Sequence, residues 1–101
     1  MKITVDELFD RIVKRHPQLD QLPLQKVMME ECCETALNSN PELADLDVLE
    51  NAVQIAFITC NSTLKATLKG LLESSDADKI NLNYRNQKFT FTSDSHFLQD
   101  D

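Results

Sequence analysis

The sequence predicts a mainly α-helical domain of three to four helices, closed by a C-terminal β-hairpin to give an α+β fold. Apolar residues recur at helical spacing as far as Leu72, and beyond Ser75 they alternate as in β-strands. With 101 residues, of which 42% are hydrophobic, the chain is long enough for one core and too short for two. We therefore expect a single domain over residues 1–92, with the hairpin at 78–92 and a flexible acidic tail at 93–101.

The first helix has the clearest boundaries. Thr4 and Glu7 have the spacing of a capping box, so the helix is expected to begin at Val5. His16-Pro17 ends it, because the residue before a proline avoids the helical region of backbone space.

The second helix is expected to start near Leu22-Pro23 and to run to about Leu37, ahead of a polar segment that contains Pro41. Its apolar arc contains an ionisable residue, because Glu31 falls between Val27 and Leu24 on a helical wheel. The binary pattern alone does not explain this glutamate.

The third helical stretch is long. Asp47 is predicted as its N-cap, with Glu50 three residues later, and apolar periodicity continues from Val48 to about Leu72. The polar pair Asn61-Ser62 interrupts the periodicity and could divide this stretch into two helices.

Two short strands follow. A two-residue turn at Asn86-Gln87 would pair Tyr84 with Phe89 and Leu82 with Phe91. All four side chains would then share one face, which we expect to pack on the helices or on a second copy, because an isolated hairpin is marginally stable.

Composition excludes several classes of function. A net charge of −7 and a pI near 4.7 argue against direct nucleic-acid binding and against binding to anionic membranes. With one glycine, Gly70, the chain has no glycine-rich phosphate loop. The cysteines, Cys32, Cys33 and Cys60, have neither disulfide-framework nor zinc-site spacing and are expected to be reduced core residues. The expected location is the cytoplasm.

Acidic residues dominate the middle of the chain. Between Lys26 and Lys65 there is no basic residue, yet the segment contains seven carboxylates: Glu30, Glu31, Glu34, Glu42, Asp45, Asp47 and Glu50. Like charges this close repel one another, so the carboxylates must be solvated, matched by a basic partner or held together by a divalent cation.

The segment from Val27 to Glu34, followed by Glu42-Leu43-Ala44-Asp45, resembles the signature of the all-α nucleotide pyrophosphohydrolases of the MazG and dimeric dUTPase type. The resemblance covers residues 24–58. It implies a Mg²⁺-dependent hydrolysis of nucleoside triphosphates to monophosphate and pyrophosphate. The metal ligands that it implies are Glu30, Glu31, Glu34, Glu42 and Asp45.

A binding role is the preferred interpretation, with no catalytic residue and no cofactor. In this role the chain is an inhibitor or adaptor, of the kind that mobile elements encode, and it presents a carboxylate-rich face to a basic protein surface. That acidic face consists of Glu30, Glu34, Glu42, Asp45 and Asp47. A third interpretation is a structural subunit that assembles with further copies of itself, so a homodimer is also considered.

Overall fold

The structure confirms the predicted fold class. A computed structural model describes residues 3–39, 45–94 and 96–99. Within them α1 spans Val5–Arg15, a 3-10 helix Pro17–Gln21, α2 Pro23–Ser39 and α3 Leu46–Ser74. The strands are β1 (Lys79–Tyr84), β2 (Gln87–Thr92) and β3 (Phe97–Gln99), which form an antiparallel sheet in the order β1-β2-β3.

The boundaries of α1 are confirmed. The Thr4 hydroxyl accepts a hydrogen bond from the Glu7 backbone N–H at 3.1 Å, and the Glu7 carboxylate accepts from the Thr4 N–H at 3.4 Å. The helix ends at Arg15, and His16 is its C-cap. Leu8 and Ile12 are fully buried, so the face that the apolar spacing predicted is the face that packs.

The predicted start of α3 is wrong, and the division of this helix that the sequence left open does not occur. Its N-cap is Asp45 instead of Asp47, because Oδ1 of Asp45 accepts from the N–H groups of Asp47 and Val48, both at 3.1 Å. The helix also continues without a break through Asn61-Ser62. Mid-helix Asn and Ser each cost no more than about 0.7 kcal/mol in propensity, which the packing of Leu68 and Leu72 beyond them outweighs.

The hairpin register differs from the predicted one by two residues. The turn is Arg85-Asn86, with φ of 50° and 63°, and the pairs are Tyr84 with Gln87, and Leu82 with Phe89. A tight two-residue hairpin turn of the primed type requires positive φ at both central residues, which Asn tolerates well. Because a shift of two residues preserves the side-chain alternation, the predicted sharing of one face still holds.

The end of the chain includes a third strand. Residues 97–99, which were predicted as part of a flexible tail, form β3 and pair with β2. Phe97 is buried, and its ring centroid lies 4.9 Å from that of Phe91. Phe89 and Phe91 are fully buried in the same core as the helices, whereas Leu82 and Tyr84 are half-buried against it. The sheet therefore packs on the helices of its own chain.

A buried carboxylate joins α1 to α3. Glu50 is 1% exposed, and its Oε1 accepts a hydrogen bond from Nε of Arg11. Nη1 of Arg15 lies 3.3 Å from Oε2, within ion-pair distance but without the alignment of a hydrogen bond. The two arginines are four residues apart, so both extend from one face of α1. From the sequence, Glu50 was identified as part of the N-terminal signal of α3 and as one of seven carboxylates in the acidic segment, but not as a buried residue.

We expect Arg11→Met with Arg15→Met to lower the free energy of unfolding by about 3–5 kcal/mol in urea denaturation, because it leaves the Glu50 carboxylate buried without a partner. Lys14→Met, at an exposed position on the same helix, is the control and should change stability by less than about 0.5 kcal/mol. Adding Glu50→Leu to the double variant should restore most of the loss. A double variant as stable as the parent would contradict a structural role for the buried charge.

Candidate functional site

An apolar groove lies between α2 and α3. Its volume is about 670 Å³, and it is open to the surface. The lining residues are Met28, Glu31, Cys32, Thr35, Ala36, Ser39, Val48, Leu49, Ala52, Val53, Ala56, Cys60 and Tyr84. This set contains one carboxylate and no basic residue.

The groove exists because small side chains face one another where the two helices approach. On α3, Val48, Ala52, Ala56 and Cys60 follow one another at intervals of four residues and therefore lie along one side of the helix. Ala36 contributes another small side chain from α2. Alanines at these positions leave a trough that larger residues would fill.

Glu31 and Tyr84 line the groove next to the hairpin turn. The Tyr84 hydroxyl donates a hydrogen bond of 2.7 Å to Oε2 of Glu31. Nε of Arg85 lies 3.8 Å from the same oxygen, and Nη2 of Arg85 donates to Oε2 of Glu34 at 3.2 Å. The position of Glu31 in the apolar arc of α2 is thereby explained, because its carboxylate has a phenol and a guanidinium as partners.

The turn that supplies Arg85 is strained. A residue other than glycine at a φ of 50° costs on the order of 1–3 kcal/mol unless its surroundings hold it there. The ion pair with Glu34 and the Tyr84 hydrogen bond attach the β1 side of this turn to α2. Glu31 and Glu34 of α2 thus anchor the sheet.

Burial suppresses ionisation of Tyr84 and Cys32, which line the groove, and of Cys33 in the core beside it. Burial first, and then the hydrogen bond and charge of Glu31, raise the pKa of Tyr84, with Arg85 acting weakly in the opposite direction. Burial also raises the pKa of Cys32 and, to about 12, that of Cys33. Both thiols are therefore protonated at neutral pH and are poor nucleophiles. Cys60 departs from the expected core position, because it is exposed.

The carboxylates of the predicted acidic face have different neighbours. Glu30 is half-buried in a polar depression that it shares with Lys26 and Asp20. Asp45 caps α3, and Asp47 lies 4.0 Å from Arg11. Glu34 pairs with Arg85 as described above. Glu42 lies outside the described residues.

The carboxylates that the family resemblance implies as metal ligands also have separate partners. Glu31 accepts a hydrogen bond from Tyr84, and Asp45 accepts hydrogen bonds from the first turn of α3. Among residues 3–39, 45–94 and 96–99, no three His, Cys, Asp or Glu side chains are grouped so that they could hold a metal ion. The full set includes Glu42, so the pyrophosphohydrolase interpretation stays a prediction.

Sequence reasoning missed the role of Glu50, although the chain contained a signal for it. Glu50 lies three residues before Val53 and seven before Phe57, both buried, so a helical wheel places it on the core face. Tyr84 and Arg85 are different, because they meet α2 across more than 50 residues of chain, and no local spacing reports such a contact.

His16 has a structural environment. Its Nε2 lies 2.7 Å from Oε1 of Gln54, whose amide group donates to the backbone carbonyl of Glu50 at 3.2 Å. These bonds extend the contact between α1 and α3 and bring no nucleophile to the histidine.

Comparison with known proteins gave no relative: no protein-family model, curated protein or solved structure matches this chain. In the part of the chain that the structure describes, no helix has both the length and the apolar character needed to cross a membrane.

We expect Glu31→Gln to lower the pKa of Tyr84, because it removes the nearby negative charge that disfavours the phenolate. Tyr84 is the one tyrosine of the chain, so the ultraviolet absorbance of phenolate during an alkaline titration reports this group alone. Glu30→Gln removes a charge from the same helix and is the control, which should titrate like the parent. Equal titration curves for all three proteins would contradict the contact between Glu31 and Tyr84.

Proposed function

We propose that this chain is a protein-binding regulatory protein that receives a basic, amphipathic segment of a partner in the groove between α2 and α3. The observation that carries the proposal is the composition of the groove. It is apolar over most of its length, carries the Glu31 carboxylate and has no basic residue among the lining side chains that the structure describes.

The apolar part of the groove suits one face of a helix or an extended segment. Val48 is 56% exposed, Ala52 and Ala56 are also exposed, and the buried side chains of Leu49 and Val53 lie beneath them. Covering an apolar trough of this kind removes hydrophobic surface from water, at roughly 25 cal/mol per Å². Helix-in-groove recognition uses such a trough for residues spaced three and four apart.

The negative charge near the groove favours a partner segment with positive charge. Asp45 and Asp47 precede Val48 at one end of the groove, and Glu31 and Glu34 lie toward the hairpin. Arg85 is already paired with carboxylates, and the chain as a whole has a net charge of −7. A basic segment would therefore be attracted at long range and oriented as it approaches.

A regulatory role follows from the same chemistry. A protein that covers basic residues of its partner competes with any other anion for them, including nucleic acid. This is the action of an inhibitor or adaptor, and three free cysteines fit a reducing compartment such as the cytoplasm.

A fluorescent, helical peptide of leucine and lysine with one apolar and one basic face is a suitable probe. We expect it to bind the parent protein, and we expect Ala52→Trp to abolish binding, because the indole fills the groove without changing charge. Ala77→Trp, at an exposed position outside the groove, is the matched control. Undiminished binding to the Ala52→Trp variant would exclude the groove as the site.

A separate triple variant tests how much the carboxylates contribute to the affinity for the peptide. Glu34→Gln with Asp45→Asn and Asp47→Asn removes three charges and keeps the start of α3 capped, because asparagine is as good an N-cap as aspartate. Affinity should fall roughly 3- to 160-fold at low salt, since exposed ion pairs contribute about 0.2–1 kcal/mol each. The difference from the parent should shrink as salt is added. A salt-independent affinity would assign the binding to apolar contacts alone.

The metal-dependent alternative makes an opposite prediction. If Glu30, Glu31, Glu34, Glu42 and Asp45 bind Mg²⁺, the ion stabilises the folded state by about 2.7 kcal/mol at a hundredfold excess over its Kd. Millimolar Mg²⁺ or Mn²⁺ should then raise the melting temperature, and Glu31→Gln should abolish the increase. The binding role predicts the same melting temperature with and without these ions, and no turnover of nucleoside triphosphates.

A further inference from the structure

The outward face of α3 carries the two most exposed isoleucines of the described chain. Ile55 is 66% exposed and Ile58 is 61% exposed, and they lie three residues apart on one side of the helix. The buried residues Val53 and Phe57 lie on the side of the helix opposite Ile55, and Ile58 also borders a small depression that Phe57 lines. Neither isoleucine lines the groove between α2 and α3.

The same face carries no charge over most of its length. From Asn51 to Leu64 the sequence contains no Asp, Glu, Lys, Arg or His. Glu50, which precedes this segment, is buried against α1. In a chain of net charge −7, this is a surface over which two copies can approach without direct repulsion between carboxylates.

The residues of this face follow the spacing of a helix-pairing seam. Successive residues of this face are alternately three and four positions apart. We call this stripe the seam; it consists of Val48, Asn51, Ile55, Ile58, Ser62, Lys65 and Lys69. This repeat keeps one stripe of a helix against a neighbouring helix. Acidic residues, Asp45 and Asp47, flank its beginning, and basic residues end it.

We infer that α3 pairs antiparallel with α3 of a second copy of this chain, about a two-fold axis that passes between Ile55 and Ile58. Each Ile55 then faces Ile58 of the other copy. On either side, Asn51 faces Ser62 of the other copy, and two polar groups are matched. Further out, Val48 meets the aliphatic stem of Lys65.

Charge complementarity selects the antiparallel orientation. It brings the ammonium group of Lys65 to Asp47 of the other copy, and Lys69 to Asp45, at both ends of the seam. A parallel pair would place Asp47 beside Asp47 and Lys65 beside Lys65, which is unfavourable. The acidic and basic ends of two seams therefore match only when the two helices run antiparallel.

The length of the seam sets the strength of the pairing. From Val48 to Lys65 it extends for about 27 Å at the helical rise per residue. One helix pair of this length buries less than the roughly 1,200 Å² of a standard stable interface. The dimer is therefore reversible, with monomer and dimer exchanging in the micromolar concentration range. Ala52 and Ala56 lie to the side of the seam, whereas Val48 borders both the seam and the groove, and Asp45 and Asp47 lie at this shared end. The pairing itself requires no partner, and sedimentation tests it separately from peptide binding.

Sedimentation of the full chain at micromolar to near-millimolar concentrations tests the pairing. We expect the parent to shift from monomer to dimer, and Ile55→Ser with Ile58→Ser to raise the dissociation constant by about tenfold or more, because four central side chains are lost. Leu98→Ser, at an exposed position on β3, is the matched control. Unchanged circular dichroism and melting temperature in the monomeric variant verify that it is folded.

Exchanging the charges tests the orientation. Asp47→Lys and Lys65→Asp should each raise the dissociation constant roughly 2- to 30-fold, because each removes two exposed ion pairs per dimer. The double variant restores both pairs in reversed sense and should recover the affinity of the parent. A monomeric parent at near-millimolar concentration, a dimer indifferent to the isoleucine variant, or a double variant weaker than both single variants would each overturn the inference.

Discussion

The buried carboxylate of Glu50 is the constraint on which the arrangement of the helices depends. An ionised group at 1% exposure is tolerated only with cationic partners, and both partners come from one face of α1. Apolar packing alone would allow α1 to rotate or slide against α3, because hydrophobic contact is not directional. The two arginines restrict this freedom. Once α1 is fixed, α2 packs beside both helices, and the sides of α3 that stay uncovered are determined.

Three sides of α3 have different surroundings. One side enters the core through Val53 and Phe57, a second borders the groove through Ala52 and Ala56, and a third faces outward. Its charge changes along the axis, from acidic at Asp47 through a neutral segment to basic at Lys65 and Lys69, with Glu73 in the last turn. A long helix with small residues on one side and isoleucines on another can therefore take part in two separate interactions.

Local signals were predictable from the sequence, and contacts between distant segments were not. The boundaries of α1 depend on a cap and a proline, both within a few residues, and they were confirmed. The faces of the hairpin followed from alternation, but its register depended on which two residues accept positive φ, which alternation does not report. The partners of Glu31 are 53 and 54 residues away. The sequence identified it as anomalous without identifying what it contacts, and the groove itself depends on helix packing that no motif encodes.

The hydrogen bond between Tyr84 and Glu31 also has an optical consequence. The chain contains no tryptophan and one tyrosine, so its intrinsic near-ultraviolet absorbance and emission above those of phenylalanine arise from Tyr84. A phenol that donates to a carboxylate emits less light than a free one, because the excited phenol transfers its proton to that acceptor. The molecule therefore contains its own optical probe, located in the groove wall where α2 meets the hairpin, and separation of these two elements would be visible as an increase in emission without any added label.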